Sequence, residues 1–209
     1  MSDQVIAIDG PAGSGKSTVA RAVAQLLGWS FLDTGAMYRA LTCEALATHV
    51  DVHDEDAMAE LASSATLTTL PRVTVNGRDV EDEIRSDDVN VAVSVVAANA
   101  RVRSSMVARQ REMAAAQPVG TVVEGRDITT VVFPRATVKI FLTASLEERA
   151  RRRGDEGGDS VARRDEVDST RVASPLRQAD DAFVLDTTDR DVEDVAKEIV
   201  QWLKSRRST

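Results

Sequence analysis

Between residues 5 and 18 the chain reads VIAIDGPAGSGKST, a short apolar run followed by Gly10, Gly13 and Gly15 and then by Lys16 and Ser17. The spacing fits G-x-x-x-x-G-K-[ST], with Gly10, Gly15, Lys16 and Ser17 at the fixed positions, after a predicted strand and before a predicted helix. A glycine turn in that setting belongs to an α/β sheet that binds at the C-terminal edge of its strands. It also constrains the chemistry. Glycines let backbone amides wrap a polyphosphate, the helix N-terminus adds its positive end, Lys16 neutralises phosphate oxygens, and Ser17 offers a hydroxyl to Mg2+. Gly10, Pro11, Ala12, Gly13, Ser14, Gly15, Lys16, Ser17 and Thr18 are therefore the expected cradle of a nucleoside triphosphate. A glycine turn that binds nothing would need neither Lys16 nor Ser17.

Apolar runs at 5–8, 31–33, 121–124, 138–142 and 183–186 predict strands buried on both faces. Helical periodicity predicts helices at about 16–28, 35–48, 88–116, 145–153 and 191–206, which together give a parallel sheet covered by helices. A chain of 209 residues, 43% apolar and 29% charged, suits one globular unit and contains no apolar run long enough to cross a bilayer. The opening MSDQVIAIDG has no basic segment leading into an apolar one, so the expectation is a cytoplasmic protein without a membrane partner. Cys43 is the single cysteine, which excludes an internal disulfide, and His49 and His53 lack a surrounding set of metal ligands. A net charge of -8 and 3% aromatic residues argue against a nucleic-acid partner.

Two stretches interrupt the pattern. From Thr66 to Asp82 β-branched residues alternate around Asn76-Gly77, which predicts a small antiparallel hairpin appendage. From Gly154 to Ser174 glycines and charges dominate, which predicts a mobile, solvent-facing segment.

The loop alone suits a kinase, a GTPase switch or a motor ATPase. No Asn-Lys-x-Asp guanine-reading motif occurs, and TVVE at 121–124 runs into Gly125-Arg126-Asp127 rather than ending in the Asp usual for motor ATPases. Arginines fall into groups: Arg39 after Asp33-Thr34-Gly35, Arg101 and Arg103, Arg126, and Arg163, Arg164 and Arg171. Guanidinium forks bind phosphate bidentately, and transfer between two anions needs such groups beside donor and acceptor. Arg39, Arg126 and Arg171 stand at turns or element ends, where side chains converge on the binding edge. Arg109, Arg111, Arg149, Arg151 and Arg152 read instead as solvated or ion-paired residues of amphipathic helices. An acceptor that is itself a phosphate would be ionised already, and would need no general base.

With GPAGSGKST, LDTGAMYR, EIRSDDV, EGRDITTVVFP, VKIFLTAS, RRD and LDTT in this order, the chain resembles the bacterial cytidylate kinases over almost its whole length. The resemblance implies a nucleoside monophosphate kinase of α/β P-loop fold: a five-stranded parallel sheet flanked by helices, a small antiparallel β insert and a mobile lid. It implies transfer of the γ-phosphoryl of ATP to CMP or dCMP with Mg2+ held at Ser17, by an enzyme expected to be a monomer. It divides the single unit 1–209 into a core of 1–34, 87–153 and 175–209, a monophosphate-binding region of 35–86 with its insert at about 66–82, and a lid of 154–174. Ser94, Arg103 and Asp127 are implied to read the cytosine, whose amino group and ring acceptors such a set can serve. Arg39, Arg126 and Arg171 are implied to clamp the CMP phosphate, Arg164 and Asp168 to contact the ribose, and Thr34 to border the same site. Lys16, Arg126, Arg164 and Arg171 would carry the transfer. Read without the resemblance, Ser94 is equally a helix-interior serine and Asp127 a helix N-cap. Three features depart from the family pattern: a shorter lid rich in glycine and acid, Thr129 where glycine is frequent, and Glu124 where Asp is also common. Other acceptors fit less well. LDTG lacks the second Asp of shikimate kinases, and EGRD stands where adenylate kinases have GFPR. A nucleotide-binding regulator would be expected to lack the lysine, the hydroxyl or the arginines.

Overall fold

The computed structural model describes the backbone of residues 4–154, 157–171 and 174–207 and, within these, every side chain except those of 157–160, 164 and 207. The elements in chain order are β1 (Val5–Asp9), α1 (Lys16–Leu27), β2 (Ser30–Asp33), α2 (Thr34–Ala47), α3 (Glu55–Ser64), β3 (Leu67–Thr68), β4 (Thr74–Val75), β5 (Arg78–Asp79), α4 (Asp87–Ala98), α5 (Ala100–Ala115), β6 (Thr121–Gly125), β7 (Val138–Thr143), α6 (Leu146–Arg152), α7 (Gly157–Thr170), β8 (Phe183–Asp186) and α8 (Val192–Arg207). Residues divide into two units, Met1–Leu32 with Arg111–Thr209, and Asp33–Gln110.

The first unit is built on a five-stranded parallel sheet of order β2-β6-β1-β7-β8. β1 and β6 are buried at every residue, which is why their sequences read as unbroken apolar runs rather than alternating ones. Ile6, Ile8, Val122, Ile140 and Leu142 pack with Val19 and Val23 of α1 and with Ile199 and Leu203 of α8. Asp9 pairs with Gly125 in register, so β1 and β6 release their following loops side by side at one edge of the sheet. After β6, residues Ile128–Val132 form one wide helical turn, closed by Phe133 N–H donating to the Ile128 carbonyl at 2.7 Å.

The second unit contains α2, α3, α4 and a three-stranded antiparallel sheet of order β3-β4-β5. Asn76 and Gly77 both take positive φ, 50° and 80°, as a two-residue hairpin turn requires, and the expected appendage at 66–82 forms around them.

Three local expectations need correction. The single helix over 88–116 is two helices. Asn99 interrupts it: its Oδ1 accepts from Arg101 N–H at 2.9 Å and Val102 N–H at 3.2 Å, which caps α5, and its Nδ2 donates to Glu55 O at 3.0 Å. α3 forms where the sequence pattern predicts no helix. Asp54 starts it by accepting from Asp56 and Ala57 N–H, both at 3.0 Å. The stretch from Gly154 to Ser174 is not simply solvent-facing, because it contains α7, on which Val161 is fully buried.

Asn99 itself is buried, and its bonds join helices of the second unit. Asn99→Ala should therefore lower the unfolding free energy by about 1–3 kcal/mol, seen as a lower urea midpoint without a change of slope.

Candidate active site

The loop from Gly10 to Ser17 leaves β1 and enters α1 through backbone conformations that only glycine adopts easily. Gly10 has φ 155°, and a Cβ there would lie 2.1 Å from Leu142 O; Gly13 has φ 77°, and a Cβ there would lie 2.7 Å from Arg149 O. At the start of α1 the N-cap is Gly15, which supplies no side-chain acceptor, and no acidic residue stands in the first turn. The positive end of the helix therefore keeps its character for an anion. Lys16 is buried and donates from Nζ to Pro11 O at 2.9 Å. Burial first, and then the charge of Arg126, push its ammonium down to about 7, partly offset by Glu124, Asp168 and Asp9. A polyphosphate beside Nζ would reverse that shift.

Ser17 Oγ donates to Glu124 Oε1 at 2.6 Å. The strand end set aside on sequence grounds as unlike a motor ATPase thus presents a carboxylate to the loop hydroxyl. Two hard oxygens at this spacing suit Mg2+, which takes few protein ligands and keeps several waters. Groups of three or more His, Cys, Asp or Glu able to hold a metal do not occur among the described residues, and Mg2+ shared with phosphates needs none.

Arg126 follows on the same edge. Its Nη1 donates to Gly10 O at 2.9 Å and its Nε to Asp168 Oδ2 at 2.6 Å. Arg171 lies 3.6 Å from the other Asp168 oxygen and donates to Ser174 O at 3.1 Å. The structure thereby brings together Arg126, Asp168 and Arg171, three of the residues that the resemblance singles out. The Arg164 side chain lies outside the described residues. Asp127 occupies the N-cap position of the wide turn, but its side chain makes no cap hydrogen bond.

Two arginines read as solvated or ion-paired helix residues do more than that. Arg149 is buried; it donates from Nη1 to Ala12 O at 3.2 Å and from Nε to Ala144 O at 3.1 Å, and it is paired with Asp165 of α7. Asp165 Oδ1 also accepts from the Ala12 amide at 3.2 Å. Arg152 donates to Thr187 Oγ1 at 2.9 Å, and that hydroxyl donates to Ser14 O at 3.0 Å. Both arginines hold the back of the loop, because the α6 face that carries them packs inward. Arg151, 72% exposed, is ion-paired with Glu148 as expected. Arg111 donates to Val131 and Val132 O, and Arg109 to Ala62 and Ser63 O, so these two tie chain segments together.

In the second unit Asp33 caps α2, accepting from Ala36 N–H at 2.9 Å, and Thr34 is buried at its first turn. Arg39 donates from one nitrogen to Ile84 O at 2.8 Å and Asn90 Oδ1 at 2.9 Å. Ser94 is half-buried one turn further along α4 than Asn90. Arg103 is buried, lies 5.4 Å over the Tyr38 ring and donates to Ala97 O at 3.0 Å. Arg39, Ser94 and Arg103 thus belong to one packed group of helices, whereas Arg126, Asp127, Asp168 and Arg171 belong to the first unit.

Comparison with known proteins identifies the set. The family model described as cytidylate kinase matches residues 6–205. The chain belongs to the cytidylate kinase family. It is 49% identical to the cytidylate kinase of Geobacillus kaustophilus, with 96% of each chain covered, and 44% identical to that of Bacillus subtilis at the same coverage. Among solved structures it resembles a gluconokinase from Sinorhizobium meliloti 1021 with a TM-score of 0.54 at 14% identity, covering 97% of this chain and 93% of that one. TT1252 from Thermus thermophilus gives 0.54 at 20% identity, covering 97% of both chains. At those identities the likeness is one of fold, the α/β P-loop kinase fold. As a member of the cytidylate kinase family the protein is a phosphotransferase.

The residues that sequence reasoning passed over are Asp9, Glu124, Arg149, Arg152, Asp165 and Thr187. The acidic end of β6 was a usable signal for Glu124. For this loop, Lys16→Ala should lower kcat/KM for phosphoryl transfer by about 10²-fold or more, measured by coupled ADP release. The same variant should melt no lower than the parent without nucleotide, since it removes a buried, crowded ammonium.

Proposed function

We propose that the protein transfers the γ-phosphoryl group of ATP, bound with Mg2+, to CMP and dCMP, giving ADP and the corresponding diphosphates. One observation carries the reading. Arg126, adjacent to Asp127, is hydrogen-bonded to the carbonyl of Gly10, so a group able to hold an acceptor phosphate is tied to the loop able to hold the donor. The loop amides and Lys16 would bind the β- and γ-phosphates. Arg126 and Arg171, both beside Asp168, would hold the CMP phosphate, a role also proposed for Arg39. Asp127, Ser94 and Arg103 would read the cytosine, Asp127 by accepting from its amino group. Arg164 and Asp168 would contact the ribose, and Thr34 would border the acceptor.

The acceptor phosphate has a second pKa of about 6 and is ionised at neutral pH, so its oxygen attacks without a base. The protein's contribution is alignment and positive charge. Ser17 Oγ and Glu124 are the groups that would hold Mg2+, directly or through water, and the ion would supply charge neutralisation at the transferring phosphates. The proposal includes a role in pyrimidine nucleotide supply and a monomer acting in the cytoplasm; light scattering of the purified chain tests the monomer.

The deciding experiment is a coupled assay with Mg-ATP and CMP, dCMP, UMP, AMP, GMP or shikimate. Fast turnover confined to CMP and dCMP is expected; silence with both, while ATP still binds, overturns the proposal. Asp127→Ala should raise KM for CMP by about tenfold or more with KM for ATP nearly unchanged, and an equal rise in both would make Asp127 a structural residue.

A further inference from the structure

Asp9, the last residue of β1, takes no part in the transfer as described above. Its carboxylate is fully buried, a costly place for an ionisable group unless its oxygens are bonded. They are bonded and, among the described residues, to one short segment. Oδ1 accepts from Ile128 N–H at 2.9 Å, and Oδ2 accepts from Thr129 N–H at 2.7 Å and from the Thr129 hydroxyl at 2.6 Å. Although Asp9 is covalently joined to Gly10, none of these three bonds goes to the phosphate loop.

The segment it holds is the wide turn Ile128–Val132, which begins directly after Arg126 and Asp127. The other end of that turn is held by Arg111, whose Nε and Nη2 donate to Val132 O and Val131 O, each at 2.9 Å. Inside it, the Asp127 carbonyl accepts from Val131 N–H at 2.8 Å and Val132 N–H at 3.1 Å. The backbone at Asp127 is therefore set by a turn gripped at its amides by a carboxylate and at its carbonyls by a guanidinium. Apolar packing could hold such a turn near the sheet. Three directional bonds to one buried anion also fix its rotation, and with it the direction in which the two preceding side chains leave the backbone.

We propose that Asp9 is a positioning residue for acceptor recognition: anchoring the amides of Ile128 and Thr129 to the end of β1 sets the placement of Arg126 and Asp127. This deepens the function proposed above and rests on its assignment of Asp127 to the acceptor. Asp9→Asn keeps the size but has one accepting oxygen, so its amide NH2 must face a donor and at least one bond to the turn is lost. Thr129→Val removes only the hydroxyl bond, and Thr129→Ser retains it.

The test is steady-state kinetics on the full chain, varying CMP at saturating Mg-ATP and then the reverse, for these three variants and Asp127→Ala. Asp9→Asn should raise KM for CMP by about tenfold or more while KM for ATP stays within about twofold. Thr129→Val should move in the same direction by less, and Thr129→Ser should recover most of that change. Equal effects on both substrates, or a lower melting temperature with unchanged kinetics, would make Asp9 a fold residue and overturn the proposal. If Asp9→Asn does not fold, the Thr129→Val and Thr129→Ser pair decides in the same terms. A CMP defect in Asp127→Ala with none in the Asp9 and Thr129 variants overturns this proposal alone; no CMP defect in Asp127→Ala overturns the acceptor assignment and this proposal with it.

Discussion

Cations crowded around one loop are the condition on which the rest of the structure depends. Lys16, Arg126, Arg149, Arg152 and Arg171 all belong to the unit that contains the phosphate loop, and several of them are buried or nearly so. Such a group repels itself and is costly to desolvate. The chain keeps it by interleaving anions: Glu148 with Arg152, Asp165 with Arg149, and Asp168 with Arg126 and Arg171. Among the described residues Lys16 has no such ion pair, donating instead to a carbonyl, and its proton affinity is lowered first by burial and then by the charge of Arg126.

The sheet makes this arrangement feasible. Because β1 and β6 are in register to their last residues, the glycine loop, Glu124 and Arg126 emerge side by side from rigid, fully buried strands. Short-range contacts of the loop then come from α6 and from the turn after β8, through Arg149, Arg152 and Thr187. Three parts of the chain far apart in sequence thus fix one cradle, and the apolar core shared by α1, α8 and the sheet keeps them in place.

What could be read directly from the sequence was local. The loop has its own glycine spacing, and the five strands are apolar runs too long for loops and too unpatterned for helices. Asn76-Gly77 announces its hairpin through its backbone preference. The break at Asn99 was hidden because the flanking residues continue a helical pattern, and only the bond to Glu55 O, 44 positions away, gives the asparagine a reason to stop it. Glu124 meets Ser17 across 107 positions, and Asp9 meets Thr129 across 120. No local pattern reports such pairs. Arg149 and Arg151 stand two residues apart on α6, one buried against the loop and the other in solvent; composition makes them alike, and only packing separates them. The assignment of Ser94, Arg103 and Asp127 to the cytosine rests on family resemblance and not on residue chemistry alone, whereas Arg39 could be read as a phosphate-site residue from its chemistry and placement.

The Asp165 carboxylate on the Ala12 amide has a thermodynamic corollary. A phosphate oxygen that takes this amide must first displace the carboxylate, so occupation of the loop becomes an exchange of one anion for another. The gain at that amide is then only a difference between two charge-assisted bonds, and the displaced Asp165 remains paired with Arg149 or moves out to water with α7. Were a triphosphate to take that amide, its affinity would depend on how strongly α7 holds its own carboxylate as well as on the loop, and a segment distant in sequence would take part in setting the strength of the cradle.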